Sequence, residues 1–72
     1  MAEEVRTQVP GNVWKVMVRP GDTVAKGDLL FIMEVMKTEV NHLAETSGVV
    51  SAVNIQEGQE GVDADIVAVL IT

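Results

Sequence analysis

With 72 residues, five basic against eleven acidic and no cysteine, this chain is limited to one small domain with a net charge of −6. Disulfide and thiolate chemistry are excluded, and the lone His42 cannot assemble a zinc centre. The acidic balance argues against a nucleic-acid partner, whose phosphates would be repelled, and suits transient docking onto larger, more basic enzyme surfaces.

A chain of this size buries only about 60% of its unfolded surface, so aliphatic side chains have to supply its core. The longest apolar runs fall well short of the ~20 residues of a membrane span, and Met1-Ala2-Glu3-Glu4 lacks the basic start of a secretory signal. The expectation is a cytoplasmic monomer with no membrane partner, a single domain over residues 1–72. The lack of cysteine fits a reducing compartment.

In chain order the apolar pattern has period two. Trp14, Val16 and Val18 are predicted to share one face of the first clear strand. Pro20-Gly21-Asp22 and Gly27-Asp28 then read as turns, glycine permitting positive φ and aspartate capping nearby amides. Leu30 and Ile32 mark the next strand, which runs into Glu34-Val35-Met36-Lys37-Thr38-Glu39. Turns follow at Ser47-Gly48 and Glu57-Gly58, and Val67, Val69 and Ile71 close the chain. No window reads as an amphipathic helix, so the fold class is all-β.

The chain also repeats itself. A shift of 37 residues aligns Gly11 with Gly48, Val13 with Val50, Val16 with Val53, Val18 with Ile55 and Gly21 with Gly58. The same shift continues through Asp28 with Asp65, Leu30 with Val67 and Ile32 with Val69. Two similar units, each unable to bury its apolar face alone, are expected to pack as a pseudo-two-fold sandwich. Only Met36 and Lys37 lack a counterpart, so Lys37 falls at the junction of the halves, where a tight turn exposes it.

Those residues resemble the biotinyl domain, the carboxyl carrier of biotin-dependent carboxylases, over residues 7–72. The family's target lysine lies in Ala/Val-Met-Lys-Met after a glutamate, matched here by Glu34, Val35, Met36 and Lys37, with Glu39 beyond. Gly21-Asp22-Thr23-Val24 with Gly27 resembles its Gly-Asp-x-Val-x-x-Gly turn, and Ser47-Gly48-Val49-Val50 a turn and strand of its second half. Thr38 departs from the usual methionine. In the second half, Gly61 and Ala64 stand where the valine and last glycine of that turn are expected. There is no room for the thumb-like insertion of some carriers.

The resemblance implies a flattened eight-stranded barrel-sandwich of two four-strand halves, with a modified lysine on an exposed β-turn. It implies a non-catalytic carrier: biotin protein ligase joins biotin to Lys37, with Val35, Met36 and Thr38 forming the turn that the ligase reads. The arm then serves biotin carboxylase and carboxyltransferase partners. The chemistry of a lysine at such a place agrees. An amine on a fixed turn can attack an acyl adenylate, and the lysine–biotin tether has a reach on the order of 14 Å. A lipoyl carrier of a 2-oxo acid dehydrogenase or glycine cleavage complex is the alternative, but its lysine sits in Asp-Lys-Ala, and Met36 replaces that aspartate. An unmodified scaffold of membrane-fusion type is a further reading, lacking the long helical insertion usual there.

Overall fold

A computed structural model describes residues 3–72; Met1 and Ala2, counted in the domain expected over 1–72, lie outside the described residues. The described residues form seven strands and no helix: β1 (Glu3–Arg6), β2 (Asn12–Val16), β3 (Thr23–Val24), β4 (Leu29–Val35), β5 (Thr38–Leu43), β6 (Gly48–Val53) and β7 (Val67–Ile71). They pack as two antiparallel sheets, ordered β1-β7-β6-β3 and β2-β4-β5. Each sheet takes strands from both halves of the chain, so neither half is a folding unit by itself. Between the sheets Leu30, Phe31, Met33, Val69 and Ile71 are fully shielded from solvent.

The pseudo-two-fold is visible in the ladders. In β2·β4, Val13, Lys15 and Val16 face Met33, Ile32 and Phe31; in β6·β7, Val50, Ala52 and Val53 face Ile71, Leu70 and Val69. The turns match as well. The Gly21 N–H donates to the Val50 carbonyl at 2.7 Å, and the Gly58 N–H to the Val13 carbonyl at 2.8 Å. The β1·β7 pairing of Val5 with Val69 corresponds to the β5·β4 pairing of His42 with Phe31.

The ladders correct the repeat. The shift is 37 up to Gln59 and 38 beyond it, because the Leu30 carbonyl accepts from Met17 as the Ala68 carbonyl does from Asn54, and Met33 corresponds to Ile71. The hydrogen bond from Gly27 N–H to Ala44 O has its mate in Asp65 N–H to Thr7 O, so Asp65 stands at the place of Gly27, with φ 64°. Val62, 6% exposed, takes the place expected of Gly61, as the counterpart of Val24. The extra residue falls between Gln59 and Val62, where Gly61 turns to φ 67°. It interrupts the ladder, so the counterpart of β3 shrinks to one bridge between Gly11 and Val62. The expected eight strands are therefore seven among the described residues.

The expected face of Trp14, Val16 and Val18 also fails. The register of β2 against β4 shifts between Val13 and Lys15, a bulge that consumes Trp14 as the extra residue. Val13 is then buried at 1% exposure and Trp14 is turned out at 43%. A second shift lies between Leu29 and Phe31 against β5, and Leu30 through Met33 are all buried. A period of two cannot see a bulge, since one extra residue inverts every side chain beyond it.

Candidate functional site

The hairpin of β4 and β5 presents the lysine. Val35 pairs with Thr38, which leaves Met36 and Lys37 as a two-residue connection. Their φ angles of 49° and 67° are both left-handed, the signature of a type I′ turn that suits the twist of a hairpin. Neither is glycine, so the turn is held against local preference by the strands on either side. β4 supplies that hold through its buried run Leu30–Met33, which fixes the register of everything after it.

Met36 projects almost wholly into solvent, at 93% exposure, and Lys37 and Thr38 are exposed with it. Val35 is half-buried. It packs where a side chain on Gly11 would stand: a Cβ there would meet the Glu34 carbonyl oxygen at 2.6 Å and Val35 Cγ2 at 2.8 Å. The start of β2 thus lies directly against the base of the lysine turn. From Gly11 and Asn12 the contacts continue outward, since the Gly61 N–H donates to Asn12 Oδ1 at 3.1 Å. Residues 11–12 thus back the base of the hairpin and are themselves bonded to Gly61 and Val62. Sequence reasoning did not single out Asn12, whose side chain acts only on a segment 49 residues away.

Glu34 and Glu39 face each other across the hairpin, both exposed. Both ion pairs among the described residues belong to Arg6. Lys37 is in neither, so its Nζ stands free at an acid-flanked tip. A depression of about 580 Å³ lined by Gln8, Lys26, Leu43 and Glu45 leaves Lys37 outside.

Glu3 lies away from the lysine turn. The Glu3 carboxylate accepts from the Thr46 N–H at 3.1 Å and the Thr46 hydroxyl at 2.9 Å, beyond the far end of β5 from Lys37.

His42, the lone histidine, is structural. It is 1% exposed, stacks on Phe31 with ring centroids 4.2 Å apart, and accepts the Gln8 N–H on Nε2 at 3.1 Å. That acceptance requires a lone pair on Nε2, so Nδ1 carries the proton and donates it to the Val40 carbonyl at 3.2 Å. Burial pushes its pKa below the usual histidine value, with the Val40 hydrogen bond opposing.

Fold and site together define a small β carrier domain: a two-sheet body that holds a single primary amine on an exposed hairpin turn. The donor set fits covalent attachment, because an unpaired amine on a fixed, open turn can be reached by an enzyme and acylated. Residues 2–71 match the family described as "Biotin-requiring enzyme", named for biotin and lipoyl groups, and the chain belongs to that family as a biotin carrier domain.

Particular relatives agree. The chain is 40% identical over 70 residues to the biotinylated protein TB7.3 homolog of Mycobacterium leprae, covering 97% of this chain and 99% of that one. It is 40% identical over 58 residues to the biotin carboxyl carrier protein of Streptococcus mutans, covering 81% of this chain and 45% of that one. The urea carboxylase of Kluyveromyces lactis superposes on all of this chain with a TM-score of 0.89 at 33% identity, over 6% of its own length. The chain thus spans nearly all of one small relative, under half of the carrier protein and a small part of the carboxylase.

Proposed function

We propose that Lys37 is the residue that receives biotin, attached by biotin protein ligase, and that the chain is a non-catalytic carboxyl carrier of a biotin-dependent carboxylase, decarboxylase or transcarboxylase. The observation that carries this reading is the lysine on a two-residue hairpin tip, exposed, acid-flanked and preceded by Met36. The Nζ lone pair attacks the acyl carbon of an activated biotin, the activating group leaves, and the amine gives up a proton to form the amide. Val35 anchors the turn on Gly11, Met36 offers the apolar contact beside the amine, and Thr38 closes the hairpin. Bound biotin supplies the ring nitrogen that carries a carboxyl group between biotin carboxylase and carboxyltransferase sites. The protein's part is to place that arm and to keep it at a high local concentration, roughly millimolar.

Met36 in place of an aspartate favours biotin over lipoate at Lys37. Intact-mass measurement after co-expression with biotin and lipoyl ligases tests the assignment: one biotinyl increment is expected, and a lipoyl increment or none overturns it. Lys37→Arg is expected to fold and to give no streptavidin signal; a variant that still reacts places the site elsewhere.

A further inference from the structure

The bulge in β2 leaves an aromatic ring in the open with no assigned task. Trp14 is the chain's one tryptophan and is 43% exposed. Its counterpart in the matching bulge of β6 is Ser51, whose hydroxyl donates to the Leu70 carbonyl at 3.2 Å, so a bulge here does not itself require an indole. Lys15 Nζ stands 5.8 Å from the centre of the Trp14 ring and takes part in neither ion pair among the described residues. The ammonium thus lies over one face of the half-exposed indole, so the pair joins an apolar ring to a cationic donor outside both ion pairs.

Its place relative to Lys37 is fixed by register. Trp14 lies between the rungs Val13–Met33 and Lys15–Ile32, three to five residues below Met36 and Lys37 in sequence. At about 3.3 Å per residue that is roughly 10–16 Å, on the strand beside β4. The lysine–biotin arm reaches on the order of 14 Å, and the indole extends some way to meet it.

We propose that Trp14 and Lys15 form a resting site for the domain's own prosthetic ring, a compact bicycle with an apolar face and one urea edge. The inference rests on the assignment of biotin to Lys37. The indole covers the apolar face, and the Lys15 ammonium donates to the urea oxygen. The contact is weak: covering a few tens of Å² of apolar surface, at about 25 cal/mol per Å², favours the docked arm by roughly two- to ten-fold, so a partner's active site still draws the ring away.

The test uses the whole chain with and without biotin, each checked by intact mass. In the biotinylated protein, Trp14 emission is expected to move to shorter wavelength, acrylamide quenching to slow by about two-fold as one ring face gains a cover, and NOEs to link the indole to the biotin ring. Trp14→Ser, which imports the residue of the matching bulge, is expected to speed streptavidin capture by roughly two- to ten-fold, as the docked fraction is lost. Full biotinylation with unchanged emission, quenching and NOEs overturns the resting site and leaves the carrier assignment standing. Emission that responds only when a partner enzyme is added overturns it too, marking Trp14 as a docking contact. Absence of the biotinyl mass overturns the assignment itself.

Discussion

Glu34 and Glu39 stand directly opposite each other on the two strands of the lysine hairpin, one rung below Val35 and Thr38. In a two-residue hairpin that rung is the non-hydrogen-bonded kind, with the two side chains at their closest approach. Two like charges at such a pair oppose folding. Glu39→Gln is therefore expected to stabilise the domain by about 0.2–1 kcal/mol, read as a rise in denaturant midpoint. If the pair serves recognition by a basic ligase surface, biotinylation by the ligase slows in the same variant. An unchanged or lowered midpoint would show that the carboxylates are kept apart by solvent.

The left-handed conformation of Met36 leads to a related outcome. Asparagine tolerates positive φ where methionine does not, so Met36→Asn is expected to stabilise the hairpin by about 0.5–1 kcal/mol. The same change removes the apolar side chain beside the amine, and ligase labelling is expected to fall. Greater stability with undiminished labelling would remove Met36 from the recognition surface.

Gly11 and Gly48 offer a matched pair. A Cβ on Gly11 meets the Glu34 carbonyl oxygen at 2.6 Å, and one on Gly48 meets the Thr72 carbonyl oxygen at 2.7 Å. Either alanine variant is expected to lose about 1–3 kcal/mol, the usual penalty of overpacking. Only Gly11→Ala distorts the base of the lysine turn, so labelling of the folded fraction should drop for it and hold for Gly48→Ala. Equal labelling in both would show that the turn does not depend on β2.

His42 sets a pH dependence whose sign follows from its burial. The folded state holds the ring neutral and lowers its pKa, so the unfolded chain binds the extra proton more readily. The stability it contributes is fully present above the unfolded value of about 6.5 and is lost as pH falls below it. Denaturant midpoints should decline between neutral and mildly acid pH, before most carboxylates titrate. His42→Val, which copies Val5 at the matching position of β1, is expected to flatten that decline. A slope that persists in the variant would place the titration in other groups.

Thr38 is exposed and paired only with Val35. Thr38→Met is expected to leave the fold intact and raise the rate of biotin attachment or of carboxyl transfer. No change in either would mark Thr38 as neutral for the carrier.

Much of this protein is local information. The alternation of aliphatics, the glycine turns and the hexapeptide around Lys37 were enough to read an all-β chain with a lysine between two similar halves, because each of those signals lives in a few adjacent residues. The turns at Gly21 and Gly58 could be matched for the same reason. The equivalence of β1 and β5 under the repeat could not, because Val5 and His42 fill matching places with unlike side chains.

What the tertiary structure alone decided concerns insertions and distant contacts. Bulges at Trp14 and Ser51, and the extra residue near Gly61, shift register by one, and periodicity carries no record of where a partner strand skips a residue. The hold on the lysine turn is likewise non-local: Gly11 lies under Val35, and Asn12 clasps Gly61. Sequence named the amine and the turn that bears it; packing of chain segments far apart in sequence determined how rigidly that turn is held and which surfaces stand beside it.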